Sequence, residues 1–253
     1  MKISMSKTSL INRLQSFSRK LLDEIDSETP TYNYKSIDFY KSISIAMILF
    51  GMTIGVMLAV AQTDFAFFIL SVIFQNQFLQ AILFSIPIVL GTYLGERGFR
   101  TNNLIQAVIG IIISIGGYGV IGGVILSMYL QDIYTSSILI SVGILLVMMA
   151  IAFGYVLTNE QPKYMLFGLL SFIPFGFAGV FAFTTTYIYS SPIISQAAGL
   201  FSFLGFLLYL VYSCGKLIKA NHNPVANGFL LYIAATGVFI HILRLVLKRR
   251  GFK

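Results

Sequence analysis

Charge is missing from this chain over six long stretches, and that feature decides most of what it can become. No Asp, Glu, Lys or Arg falls in residues 42–63, 65–95, 101–131, 133–159, 164–215 or 220–243. Soluble domains carry roughly 25% charged residues. This chain of 253 residues has 10% and is 57% hydrophobic, too little charge to wet a globular surface. A cytosolic enzyme, an extracellular disulfide scaffold and a disordered regulator are therefore excluded. The single cysteine, Cys214, has no partner for an internal disulfide, and one Cys with two His cannot build a structural zinc site. The class is a polytopic integral membrane protein.

A helix needs about 20 apolar residues to cross a hydrocarbon core of roughly 30 Å. Five of the runs suit one crossing each. The run 164–215 is too long for one helix and is divided at Ser190-Ser191-Pro192, a turn signal. Lipid offers no partner to an open backbone, so each crossing is helical. The fold expected is all-α, with seven crossings near 42–62, 78–95, 104–129, 137–157, 165–188, 197–217 and 227–247. Residues 65–74 are too few to cross; they lie in the interface or prolong the second helix.

The basic residues orient the chain. Lys35, Lys41, Arg97, Arg100, Lys163, Lys216 and Lys219 fall on one side, while the opposite loops hold Asp64 and Asp132 and no basic residue. Lys2, Lys7, Arg13, Arg19 and Lys20 bring the first side to twelve. The positive-inside rule places that side, with the N-terminus, in the cytoplasm. Most of the net charge of +8 is thereby a topological signal and not the mark of a nucleic-acid partner. Lys248, Arg249, Arg250 and Lys253 break the pattern: a full seventh crossing puts them on the far side, and only a helix that dips in and returns avoids this. The full crossing is favoured. A bacterial inner membrane is the expected home, and an organellar membrane fits the same topology.

Residues 1–40 form a tail and residues 41–253 the membrane domain. Residues 1–22 are Ser-rich, hold five basic residues and no acidic one, and place Leu10, Leu14, Phe17 and Leu21 on one helical face. A cytoplasmic tail is the expected reading; a transit peptide and an amphipathic helix on anionic lipid share the composition. The apolar region near the start is too short for a signal peptide.

Motifs add little chemistry. Gly117-Tyr118-Gly119-Val120-Ile121-Gly122 spells a dinucleotide fingerprint, but a phosphate cradle needs a strand before it and a helix N-terminus at water after it. Within a membrane span the glycines are a packing face, and Gly51-xxx-Gly55 and Gly119-xxx-Gly123 read the same way. Gly-x-Ser and His-Glu-x-x-His are absent, and no paired carboxylates fall inside the spans. No catalytic site, cofactor or metal is expected, and the implied partners are the bilayer and other membrane proteins. Cys214 reads as a small buried hydrophobe. Pro87 and Pro174 each remove a backbone hydrogen bond within a span, as a kink or a hinge.

Ionisable residues inside spans are the usual functional pointers. His241 and Arg244 stand three residues apart on one face of the last helix, and Arg244 is near enough to its end to reach water. Interfacial anchoring and a pH-responsive role for His241 both fit them. Glu96-Arg97 closes the second span and is the pair best placed to bridge to another helix end.

The last span reads Leu230-Leu231-Tyr232-Ile233-Ala234, then Gly237-Val238-Phe239 and Leu243-Arg244. This is similar to the closing signature of the Bax inhibitor-1 family, Leu-Tyr-Leu-Asp followed by Asn-Leu-Phe and Leu-Leu-Arg. Phe203-Leu204-Gly205 to Tyr209 resembles that family's Phe-x-Gly-x-x-x-Tyr-Asp. The stretch from Tyr134-Thr135-Ser136-Ser137 to Gly154-Tyr155 looks like its fourth helix. The resemblance spans residues 40–247 in size and helix count, with its motifs confined to 134–247. It implies seven helices with the last at the centre of the bundle, and a role in calcium leak, membrane homeostasis or suppression of cell death. It also makes Tyr209 and Tyr232, with Glu96, Arg97, His241 and Arg244, the candidates to line or gate a path.

The family's leak is tied to two facing aspartates that form a pH-sensitive latch. The matching positions here are Leu210 and Ala234, and its Asn corresponds to Gly237. No Asp or Glu follows Glu160, so this latch cannot form, and calcium normally asks for carboxylate oxygens. Two functions stay open: an ion leak of different selectivity, and a non-conducting regulator that binds other membrane proteins such as a protease or a cell-death factor.

Overall fold

The computed structural model describes residues 37–66, 68–69, 77–129, 133–158, 164–188, 191–218 and 223–251. The expectations for residues 1–22 and 70–74, and for Asp132, Lys163 and Lys219, lie outside the described residues. The long helices are α1 (Ile37–Ala61), α2 (Gln77–Arg100), α3 (Leu104–Ser127), α4 (Tyr134–Thr158), α5 (Tyr164–Tyr187), α6 (Pro192–Ile218) and α7 (Pro224–Gly251). Among the described residues there is no strand. Six of these helices, all but α2, are long and apolar enough to cross a membrane. The protein is thus all-helical and built as a multi-pass membrane protein.

Each expected span falls on one of these helices to within two residues at its ends; the second falls on α2, which is not among the six, and several helices run on past their spans. α1 takes in Asp38 and Lys41, α2 takes in Glu96, Arg97 and Arg100, and α7 takes in Lys248 and Arg249. A charge ends a lipid-facing stretch without ending a helix. Asp38 in the first turn of α1 and Arg97 and Arg100 in the last turn of α2 also suit the helix dipole. α7 does not dip and return. It is one uninterrupted helix of 28 residues, roughly 42 Å long at 1.5 Å per residue. Residues 64–66 and 68–69 are helical.

Local chemistry sets the ends. Asn102 takes a left-handed φ of 53° after α2, a conformation Asn tolerates. The Asn103 N–H then closes back on the Gly98 carbonyl at 2.9 Å, and the Asn103 side chain caps α3 by accepting from the Gln106 N–H at 3.1 Å. Pro192 and Pro224 open α6 and α7, where a missing N–H costs no helix bond. The Asn223 side chain accepts from the Val225 N–H at 2.9 Å in front of α7. Pro174 is buried inside α5, which continues through it.

Glycine decides which helices touch. On one face of α3, Gly110 and Ala107 meet Gly91, Gly95 and Gly98 of α2 at backbone distance. On another face, Gly119, Gly122 and Gly123 receive Val56, Met57 and Val60 of α1. The fingerprint-like glycines are therefore a packing face, as their place within a span required. Gly51 and Gly55 differ: both are exposed, and among the described residues nothing lies within 4 Å of where their side chains would be. Lipid is as apolar as a helix, so a glycine pair specifies contact only where a partner backbone is brought to it.

α7 packs against α1, α2, α3, α4 and α6. Every residue from 227 to 240 is buried. In the most apolar window of α7 78% of residues are buried, against 11–44% in the other five spans. Apolarity alone does not require this, since lipid would serve as well; small residues let the neighbours in. Gly228 faces the Ser42 carbonyl and Ile45 of α1, and Gly237 faces the Phe206 ring of α6.

Candidate functional site

The polar groups around α7 are hydroxyls. Tyr232 is fully buried, and its phenol lies 2.8 Å from Thr53 Oγ1 of α1. Its ring meets Tyr118 of α3 edge-on at 6.3 Å between centroids and Phe229 at 6.1 Å. Tyr118 is 1% exposed. Ser114 precedes it by one helical turn and Thr236 follows Tyr232 by one turn, so each pair shares a helix face. Tyr118, Ser114 and Thr236 are buried with no hydrogen-bond partner for their hydroxyls among the described residues. Tyr209 of α6, partly buried, is within electrostatic reach of Tyr118, and Glu96 and Arg100 are within reach of Tyr209. Tyr118, Tyr232 and Thr53 thus share a seam of neutral hydroxyls where α7 meets α3 and α1, while Ser114 lies with its Oγ toward Gly91 of α2.

The six residues singled out from the sequence do not form one site. Tyr232 is inside the seam and Tyr209 at its edge. Among the described residues Glu96 and Arg97 find partners on their own helix: Glu96 pairs with Arg100, and Arg97 donates to the Tyr93 hydroxyl at 2.8 Å and lies over that ring. At i,i+4 spacing such partners are always in reach, whereas a cross-helix partner would need an acidic or hydroxyl group at the facing end. His241 is half-buried, its Nε2 3.0 Å from Ser202 Oγ of α6, with Phe203 and Phe206 against the ring at 5.9 and 6.0 Å. That is an interhelical hydrogen bond of the kind that ties membrane helices together. Arg244, one turn on, is exposed, as an interfacial anchor would be.

Leu210 and Ala234, where the resembled family carries aspartates, are 1% and 0% exposed. Among the described residues no group of three or more His, Cys, Asp or Glu could hold a metal. Cys214 is a free, buried thiol among apolar neighbours.

Sequence reasoning passed over Thr53, Ser114, Tyr118, Ser202 and Thr236. A Ser or Thr in a membrane helix usually bonds its own preceding turn, as Ser141 and Thr184 do here with the Ser137 and Val180 carbonyls. Residue type therefore does not separate a helix-bonded hydroxyl from one facing a neighbour. Only the one-turn spacings Ser114/Tyr118 and Tyr232/Thr236 hinted at a polar stripe. Neither a family model, nor a curated protein, nor a solved structure matches this chain.

Proposed function

We propose that the protein is a seven-crossing membrane protein of Bax inhibitor-1-like design, its N-terminus in the cytoplasm and α7 at the centre of the bundle, and that it supports a slow ion leak along α7. The observation that carries this reading is the row of buried hydroxyls on α3 and α7, with hydrogen-bonding capacity unused in an otherwise apolar interior. Their chemistry sets the selectivity. Calcium holds six to eight oxygens and asks for carboxylates, and the seam offers neutral hydroxyls. Monovalent cations, cheaper to dehydrate, are the ions a neutral oxygen path suits.

Purified protein in liposomes tests this. Potassium or sodium flux is expected above that of empty vesicles and above calcium flux under the same gradient. Absence of flux at every pH overturns the leak, and calcium flux in excess overturns the selectivity.

The second reading, a non-conducting regulator of other membrane proteins, is supported by the exposed Gly51 and Gly55 on α1. Small residues on a bilayer-facing surface let a second helix approach closely. On this reading Gly51→Leu/Gly55→Leu removes partners from a membrane pull-down while leaving the fold intact. An unchanged partner set counts against it.

A further inference from the structure

The hydrogen bonds next to Tyr118 have a direction. Thr53 Oγ1 lies 3.0 Å from the Leu49 carbonyl oxygen and donates to it. A threonine hydroxyl has one hydrogen, so in the 2.8 Å contact with Tyr232 the phenol is the donor and Thr53 the acceptor. The Tyr232 oxygen keeps its own lone pairs free to accept. Across from it stands Tyr118, ring centroids 6.3 Å apart, with a buried hydroxyl that has neither given its hydrogen nor accepted one among the described residues. Ser114 and Thr236 extend the same deficit by one turn on α3 and on α7. An unmade hydrogen bond is expensive in a medium that supplies no other partner, and here three are unmade on the packed helices α3 and α7.

We propose that this seam binds ordered water, with one molecule accepting from the Tyr118 phenol and donating to the Tyr232 phenol, and further molecules completing Ser114 and Thr236. Water is the ligand class that the residues select. It is neutral, and it is both donor and acceptor, as each of these hydroxyls requires. A cation would leave the deficit in place, because the unpaired hydroxyl hydrogens of Tyr118, Ser114 and Thr236 need an acceptor, which a cation is not. Glu96 and Arg100 bear on Tyr209 and pair with each other. The chain of donors then runs from Tyr118 through water to Tyr232, on to Thr53 and finally to the Leu49 carbonyl. It ends on a backbone acceptor that cannot pass a proton on, so the water ties α3, α7 and α1 together without relaying protons. This inference does not rest on the leak: the site binds water whether or not the protein conducts ions.

Pulsed radiolysis of the full chain in oxygen-18 water, followed by mass spectrometry, tests it, since radicals made from bound water mark the side chains beside it. Tyr118 and Tyr232 are expected to take up label within about tenfold of the rate at Tyr93, which is 54% exposed. Phe239, buried on the same helix α7, is expected to stay unlabelled. Labelling of Tyr118 no faster than that of Phe239 overturns the proposal, whether because both are protected or because both are reached by unfolding. Tyr118→Phe supplies an independent reading. Loss of a water-bound hydroxyl leaves the melting temperature unchanged or lowered and slows labelling of Tyr232. A raised melting temperature marks a hydroxyl that had no partner at all and also overturns the site. Ion flux enters neither measurement, so a failed leak and a failed water site are told apart.

Discussion

Gly110→Val is expected to part α2 from α3 and to leave most of the protein misassembled. A side-chain carbon at Gly110 collides with the Gly95 backbone nitrogen and stands 2.5 Å from Gly95 Cα and 2.7 Å from the Gly91 carbonyl oxygen. All three are backbone atoms, so no rotamer change makes room and one helix must move off the other. Ordinary overpacking costs about 1–3 kcal/mol, and a clash with rigid backbone belongs above that range. Gly143→Ala serves as the control: nothing lies within 4 Å of that position, and replacing an interior helical glycine is worth about 0.5–1 kcal/mol in its favour. Unfolding in graded denaturing detergent, read by circular dichroism, measures both. A Gly110→Val protein as stable as the wild type contradicts the close approach of α2 and α3.

Ala234→Asp is the second large effect. Ala234 is fully buried in the continuous buried run of α7. An unpaired carboxylate there loses its hydration with nothing to replace it, and breaking a buried ion balance of this kind typically costs about 3–5 kcal/mol. The expected result is a sharp loss of folded protein in detergent extracts and a lowered unfolding midpoint. Leu210→Asp/Ala234→Asp restores the carboxylates of the resembled family at both positions, and on the leak reading it raises calcium flux relative to potassium in whatever fraction folds. A single Ala234→Asp variant as stable as the wild type shows instead that the face of α7 carrying residue 234 is open to water.

These two positions also mark what could be read from the chain and what could not. The helix positions were legible because they follow from one-dimensional facts. An uncharged stretch long enough to span lipid must be helical, and the turn signal Ser190-Ser191-Pro192 divides the longest run where α6 begins. The use of each glycine was not legible. Gly51-xxx-Gly55 and Gly119-xxx-Gly123 have the same spacing, yet only the second pair is met by a neighbour, the Val56 and Val60 side chains of α1. The motif states that a helix can be approached, and the order of helices around α7 decides whether it is.

The polar site has the same history. Tyr232 drew notice through a family-like signature and Glu96 and Arg97 through their charge, and of these Tyr232 lies among the buried hydroxyls. Glu96 and Arg97 found partners within their own helix, as exposed side chains four residues apart readily do. The hydroxyls that face one another carry no charge and lie far apart in the chain, Thr53 and Tyr232 by 179 positions. A serine or threonine gives no sign in sequence of whether it bonds its own carbonyl or a distant phenol.

The sequence by itself determined that this is a multi-pass helical membrane protein, because hydropathy and backbone hydrogen bonding act along the chain and need no partner. It also determined that no aspartate pair can form at positions 210 and 234, since absence is a property of residues alone. Tertiary structure alone decided that α7 packs against five other helices and that Tyr118, Tyr232 and Thr53 meet there. Contacts between helices depend on which small residues face each other across the gap, and that is fixed only when all the helices pack at once.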